Sequence, residues 1–295
     1  MIVAIVGPTG VGKSAFGLAL AKRFDTDILS IDALQVYQGF DIGTAKLKES
    51  DRLGVKHHLI DIQPPQKAYN VAQYQKDARQ CIQKLKAQNK LPLMVGGSAF
   101  YLKATLHNYR FPPLHEDDTL TSLTAQEAWE KLQTLDPLSL KSIHPNNHKR
   151  VKQALKKALN HQPLSSQKDG HQALYPYLII GLTCPRETLY QRLNDRVHTM
   201  VNSGLEDEVR SLRALPAHPT ALEAIGYKEW NDYFSGLQTH DEVIALIQRN
   251  TRRYVKKQMT YLNNQFADIH WLDVSQKPFE TLVDEAFQTI KKALY

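Results

Sequence analysis

One eight-residue run near the N-terminus constrains this chain more than any other feature: Gly7-Pro-Thr-Gly-Val-Gly12-Lys13-Ser14 fits G-x-x-x-x-G-K-[ST]. It follows the apolar run at 2–6 and opens an amphipathic stretch, the strand-then-helix context that a phosphate loop requires. The glycines, Gly7, Gly10 and Gly12, let successive backbone N–H groups turn inward as a nest. The helix N-terminus adds its positive pole, Lys13 supplies a cation, and Ser14 offers an oxygen to Mg²⁺. A chance match anywhere in this length is about one in a hundred. The loop implies a gripped di- or triphosphate and leaves its fate open.

The surrounding pattern is α/β: a P-loop NTPase-like parallel sheet flanked by helices, with a helical insertion domain. Strands are predicted at 2–6, 27–31, 57–62 and 91–95, and helices at 13–24, at 70–88 and from Ser98 onward. The pattern changes around Phe111-Pro112-Pro113. Residues 115–174 hold helical segments (125–135 and 148–160) between Pro137, Pro145 and Pro163, with no convincing strand. Beyond them come a strand at 177–183, helices at 187–202, 205–212, 221–234 and 241–262, a last strand at 269–274 and a helix at 279–293. The catalytic core is therefore expected at 1–114 and 175–295, with 115–174 as the insertion.

Among 295 residues, 37 Lys+Arg stand against 30 Asp+Glu, a net charge of +7. A polyanionic partner and simple solubility both fit that balance. Two cysteines, Cys81 and Cys184, allow neither a disulfide framework nor a Cys-based zinc site, and a reducing cytoplasm is the expected setting. No run approaches the roughly 20 apolar residues of a membrane span. The pairs His57-His58 and His144/His148 lack a partner set at metal spacing.

The strand at 91–95 ends in Gly96-Gly97-Ser98, with no acid of the kind that typical nucleotide hydrolases use to hold Mg²⁺. Plain hydrolysis loses ground. The second strand instead runs into Asp32, and residues just past strand C-termini line the ligand crevice of an open parallel sheet. A carboxylate there accepts a proton, holds a metal or caps a turn.

On the predicted helix 241–262, Arg249, Arg252, Arg253, Lys256 and Lys257 fall within about 140° of arc, with Val243, Ile247, Tyr254, Val255 and Leu262 broadly opposite. Like charges on one face repel unless a polyanion neutralises them. A second cluster, Lys149, Arg150, Lys152, Lys156 and Lys157, lies on the insertion helix. Tyr227 and Trp230 are placed either to stack on a base or to pack in a core.

Seven segments resemble the tRNA dimethylallyltransferase family in kind and order: the phosphate loop, Ser30-Ile-Asp-Ala-Leu-Gln-Val-Tyr37, Asp41-Ile-Gly-Thr-Ala-Lys46, Gly96-Gly-Ser-Ala-Phe-Tyr101, His144-Pro-Asn146, Ser203-Gly-Leu-Glu-Asp-Glu-Val-Arg210 and Ala224-Ile-Gly-Tyr-Lys-Glu229. The resemblance implies transfer of a dimethylallyl group from dimethylallyl diphosphate to N6 of the adenosine 3′ to the anticodon of tRNA. By the same resemblance the loop cradles diphosphate through Gly7, Thr9, Gly10, Gly12, Lys13 and Ser14, with Arg196 approaching it. Asp32 is implied as general base, Thr9 lies near the reacting centre, and Ser14 holds Mg²⁺. Asp32, Ala33, Leu34, Gln35 and Ser98 are implied against the flipped base and its neighbours. Lys149, Arg150, Lys152, Gln153 and residues 223–228, including Gly226, Tyr227 and Lys228, are implied on the anticodon stem-loop. Arg252, Arg253 and Lys256 extend that basic surface, and a monomer is expected.

Some positions depart from the family wording. Ala33 stands where a serine is common, Ser98 where a threonine is, Asn147 where an aspartate is, and Gln153, Lys156, Tyr261 and Asn263 differ as well. These bear on RNA contacts and leave the loop and Asp32 intact. A prenyl transferase acting on a free adenine nucleotide, a phosphate-loop kinase and an RNA-binding module remain alternatives.

Overall fold

The computed structural model describes residues 1–111, 122–160, 163–166, 172–216 and 220–294. The predicted break at Pro112-Pro113 and the expected start of the insertion at residue 115 lie outside the described residues.

β1 (Ile2–Val6) is buried along its whole length, which is why its residues are apolar without alternation. It pairs in parallel with β4 (Leu93–Gly96) on one side and β5 (Tyr177–Thr183) on the other. β2 (Ile28–Ile31), the two-residue β3 (His57–His58) and β6 (Ile269–Asp273) complete a six-stranded sheet in the order β3-β2-β4-β1-β5-β6, every pair parallel. The strand expected over 57–62 stops early because Leu59 and Asp61 take positive φ (65° and 55°), out of extended geometry.

Helices cover both faces. α1 (Lys13–Arg23) follows β1, and α2 (Val71–Ala87) begins with a capping box in which Asn70 Oδ1 accepts from the Ala72 and Gln73 N–H groups. α3 (Ala99–Leu106) follows β4. α4 (Ala125–Leu135) and α5 (His148–Leu159) belong to the insertion, and Asn147 Oδ1 accepts from Arg150 N–H to cap α5. α6 (Arg186–Asn202) and α7 (Leu205–Arg213) follow β5. α8 (Asn231–Phe234), α9 (His240–Gln265) and α10 (Phe279–Leu294) complete the helices among the described residues.

The helix expected over 221–234 is a correction. Two 3₁₀ turns, Thr220–Glu223 and Lys228–Trp230, and the one-turn α8 stand there instead. Gly226 at φ +95° interrupts the helical path between them. The apolar spacing is genuine, but it marks buried positions on a folded loop: Ala221, Leu222, Tyr227 and Trp230 all join one core cluster.

The chain divides into two compact units: Met1–Leu106 with Tyr175–Tyr295, and His107–Leu174. In the larger unit one apolar layer carries Phe16, Leu20, Val283 and Ile290 against one face of the sheet, and another carries Tyr74, Ile82, Leu102 and Leu262 against the other. A third cluster joins Val36, Tyr37, Phe40, Val209, Tyr227 and Trp230 to Val243 and Ile247 of α9. In the smaller unit Leu132, Ile143, Val151 and Leu155 form a separate core.

Candidate active site

Three neighbouring strands end side by side: β1 in the phosphate loop, β2 in Asp32 and β4 in Gly97-Ser98. Their C-terminal edge is where an open parallel sheet binds ligands. Gly7 is required there, since a Cβ at its φ of +140° would lie 2.4 Å from the Leu182 carbonyl oxygen. Lys13 Nζ folds back over the loop and donates to Pro8 O at 2.7 Å.

Gln258 of α9 stitches two of these strand ends together. Its Oε1 accepts from Thr9 N–H (3.0 Å) and its Nε2 donates to Gly97 O (3.0 Å). Sequence reasoning missed this residue. The available signal was a polar side chain at a stripe position, since Val255, Gln258 and Leu262 are all buried at helical spacing.

Asp32 is half-buried, and its Oδ1 accepts from Leu34 N–H (2.8 Å) and Gln35 N–H (3.2 Å). It caps the turn and also leaves Oδ2 without a hydrogen bond among the described residues. Burial raises its pKa, outweighing those two N–H groups and the nearby charges of Lys13 and Arg196. Lys13 is lowered to about 7, by burial first and then by Arg196, with Asp32 opposing.

Arg196, half-buried on α6, has its pKa lowered by burial and makes no hydrogen bond or ion pair to a described residue. The Thr9 and Ser14 hydroxyls are equally unpartnered among them. Half-buried polar groups without partners are costly, so the Arg196 guanidinium and the Thr9 hydroxyl, beside the Lys13 ammonium, fit an anionic ligand.

The turn after Asp32 is fixed on several sides. Ala33 N–H donates to Ser98 Oγ (3.2 Å), Ser30 Oγ to Gln35 Oε1 (3.3 Å), and Gln35 Nε2 to Thr44 O (3.3 Å). Leu34 packs against the cluster around Val36 and Phe40. A small cleft opens here, lined by Ser14, Ile28, Ser30, Gln35, Leu47, His57, Ile60 and Val95. The exposed Ser14 hydroxyl is suited to Mg²⁺, which typically takes one or two protein oxygens and fills its shell with phosphate oxygens and water.

On α9, Arg249, Arg253, Lys256 and Lys257 are exposed, while Arg252 is half-buried and donates to Asn194 Oδ1 (2.7 Å). None of the five pairs with a carboxylate among the described residues. Tyr254, expected on the apolar side, is a correction: its side chain is 39% exposed. Burial of its phenol and the Asp32 charge push its pKa up to about 12, against the hydrogen bond it shares with Gln258. Tyr227 is corrected in the other direction. It is wholly buried, with Oη bonded to Glu208, and Gly226 is buried as well, which leaves Lys228 as the exposed member of that trio. In the insertion unit, Lys149, Arg150 and Gln153 are exposed and Lys152 half-buried, on the side of α5 away from Val151, Ala154 and Leu155.

The family model described as IPP transferase matches residues 35–265. A tRNA dimethylallyltransferase of Geobacillus thermodenitrificans is 42% identical, covering 98% of this chain and 96% of its own length. One from Enterococcus faecalis is 38% identical over 94% and 93%. The full-length tRNA isopentenylpyrophosphate transferase of Bacillus halodurans superposes with a TM-score of 0.78 at 36% identity, covering 99% of this chain and 96% of that one. A eukaryotic dimethylallyltransferase, solved acting on tRNA, superposes with a TM-score of 0.85 at 25% identity over 99% and 79%. On the family model over residues 35–265 and on relatives of this identity and coverage, this chain belongs to the tRNA dimethylallyltransferase family.

Proposed function

We propose that the protein transfers the dimethylallyl group of dimethylallyl diphosphate to N6 of the adenosine 3′ to the anticodon of tRNA. The observation that carries this reading is the free Oδ2 of Asp32, set where the charges of Lys13 and Arg196 both act on it. An anion cradle and a proton acceptor then serve one crevice.

In that reaction the bond between the allylic carbon and the diphosphate oxygen breaks, and the electron pair leaves with diphosphate. The phosphate-loop N–H groups, Lys13 and Arg196 stabilise the growing negative charge. The N6 lone pair forms the new N–C bond, and its proton passes to Asp32 Oδ2. The raised pKa of Asp32 improves its match to that task. Bound at Ser14, Mg²⁺ would neutralise part of the leaving-group charge.

The adenine must leave its stack to reach N6, at a cost of a few kcal/mol that is smaller in a single-stranded loop. The exposed cations of α9, Arg249, Arg253, Lys256 and Lys257, suit the backbone contacts that position such a loop. The cradle and the carboxylate belong to one chain, which supports a monomer as the working unit. No helix among the described residues is long and apolar enough to cross a membrane. The free thiols Cys81 and Cys184 suit the cytoplasm.

The test is incubation with dimethylallyl diphosphate and either an anticodon stem-loop or AMP, followed by mass analysis. A five-carbon gain on the stem-loop adenosine supports the reading; a gain on AMP alone overturns it.

A further inference from the structure

Glu208 lies in the first turn of α7, outside every role given above. Its carboxylate accepts four hydrogen bonds and pairs with no cation among the described residues. Oε2 accepts from Asp41 N–H (3.0 Å) and Ile42 N–H (2.6 Å). Oε1 accepts from Gly43 N–H (3.0 Å) and from Tyr227 Oη (2.8 Å). Three successive N–H groups converging on one point form an anion nest, and here a side chain of the protein fills it.

The four donors come from two separate segments, and each segment leads to the candidate site. The 41–44 loop ends in Thr44, whose carbonyl oxygen accepts from Gln35 Nε2 (3.3 Å), three residues past Asp32. The other segment carries Tyr227, followed directly by the exposed Lys228. The Tyr227 ring closes the joint. It lies 4.8 Å from the Phe40 ring, and a Cβ on Gly43 would stand 2.6 Å from it. Glu229 then holds Gly226 N–H (2.9 Å) and Asn250 of α9 (2.8 Å).

α7 does not depend on this carboxylate for its own seat, since Leu205, Val209 and Leu212 bury its apolar face. We propose that Glu208 is a positioning residue for the RNA acceptor: it clamps the 41–44 loop to Tyr227, holding Gln35 and Lys228 in one register. The inference rests on the proposed function.

The test compares wild type with Glu208→Gln and Tyr227→Phe, reading KM for an anticodon stem-loop, kcat, and the affinity for inorganic pyrophosphate. A glutamine has one acceptor oxygen for four donors, whereas Tyr227→Phe deletes one donor and keeps the ring. KM for the stem-loop should rise about tenfold in Glu208→Gln and about threefold in Tyr227→Phe, as expected for loss of charge-assisted hydrogen bonds. Pyrophosphate affinity should stay within about twofold, because none of the four hydrogen bonds of Glu208 goes to the phosphate loop.

Unchanged stem-loop KM in both variants overturns the clamp, and so does an equal loss of RNA and pyrophosphate affinity, which marks a general structural role. If Glu208→Gln fails to fold, Tyr227→Phe decides between the same outcomes. A wild type that neither binds nor modifies the stem-loop overturns the functional reading and this inference with it. An active wild type with unchanged variants overturns this inference alone.

Discussion

Thr9 and Gln258 lie 249 positions apart in sequence and share a hydrogen bond, the Thr9 N–H donating to Gln258 Oε1 at 3.0 Å. The phosphate loop is therefore held from outside by the helix that carries the basic face. Gln258→Leu leaves the Thr9 N–H and the Gly97 carbonyl without that partner, in a place where Gln258 is 6% exposed. Unsatisfied buried groups cost about 1–3 kcal/mol, so denaturant unfolding should show a loss of that size. Calorimetry should show pyrophosphate binding several-fold weaker; unchanged binding would mean that the loop holds its shape alone.

Lys13 makes diphosphate binding depend on pH. Its pKa in the free protein is about 7, and a bound diphosphate raises it by placing negative charge alongside. The affinity contributed by its charge is fully present below about pH 7 and is lost as pH rises from there through the higher value of the bound state. Lys13→Arg keeps its charge throughout. The wild-type pyrophosphate affinity, divided by that of Lys13→Arg, should be flat in acid and fall above neutrality, with the titration of pyrophosphate itself cancelling.

Asp32 should be held at a cost to stability. Its folded pKa is raised by burial, so the benefit of the neutral form is present below the ordinary value of 3.8 and lost as pH rises through the folded value. Asp32→Asn keeps an oxygen for the Leu34 and Gln35 N–H groups and carries no charge. It should melt higher than wild type at neutral pH, with the gap closing in acid, while losing activity. A lower melting temperature at neutral pH would contradict the sign of the shift.

The exposed cations of α9 are expected to grip RNA backbone and to do little for the fold. Arg253→Glu combined with Lys256→Glu should lower stem-loop affinity and reduce the slope of log affinity against log salt by roughly one to two. Thermal stability should change by less than about 0.5 kcal/mol per site. An unaltered salt slope would remove this face from the RNA interface.

The parallel sheet was legible because its central strands are buried on both faces and so read as unbroken apolar runs. The phosphate loop was legible because its chemistry is local. Asp32 needed one more step, the rule that strand ends line the crevice; the charges of Lys13 and Arg196 act on it there. Other features were hidden in tertiary structure. Ala221, Leu222, Tyr227 and Trp230 have helical spacing, yet one glycine at φ +95° folds them into turns. Glu206, Asp207 and Glu208 read alike as acids at a helix start, and only the fold shows which of them meets a nest 165 residues away. Tyr254 and Gln258 lie on a helix whose basic stripe drew attention to the opposite face.

The central claim is that Asp32 takes the proton from the attacking amine while the phosphate loop holds the leaving diphosphate. Single-turnover transfer to an anticodon stem-loop, with the enzyme and dimethylallyl diphosphate saturating, tests it most directly in Asp32→Ala. The rate constant should fall at least about a hundredfold while stem-loop affinity stays within about threefold of wild type. A variant that turns over at the wild-type rate would contradict it.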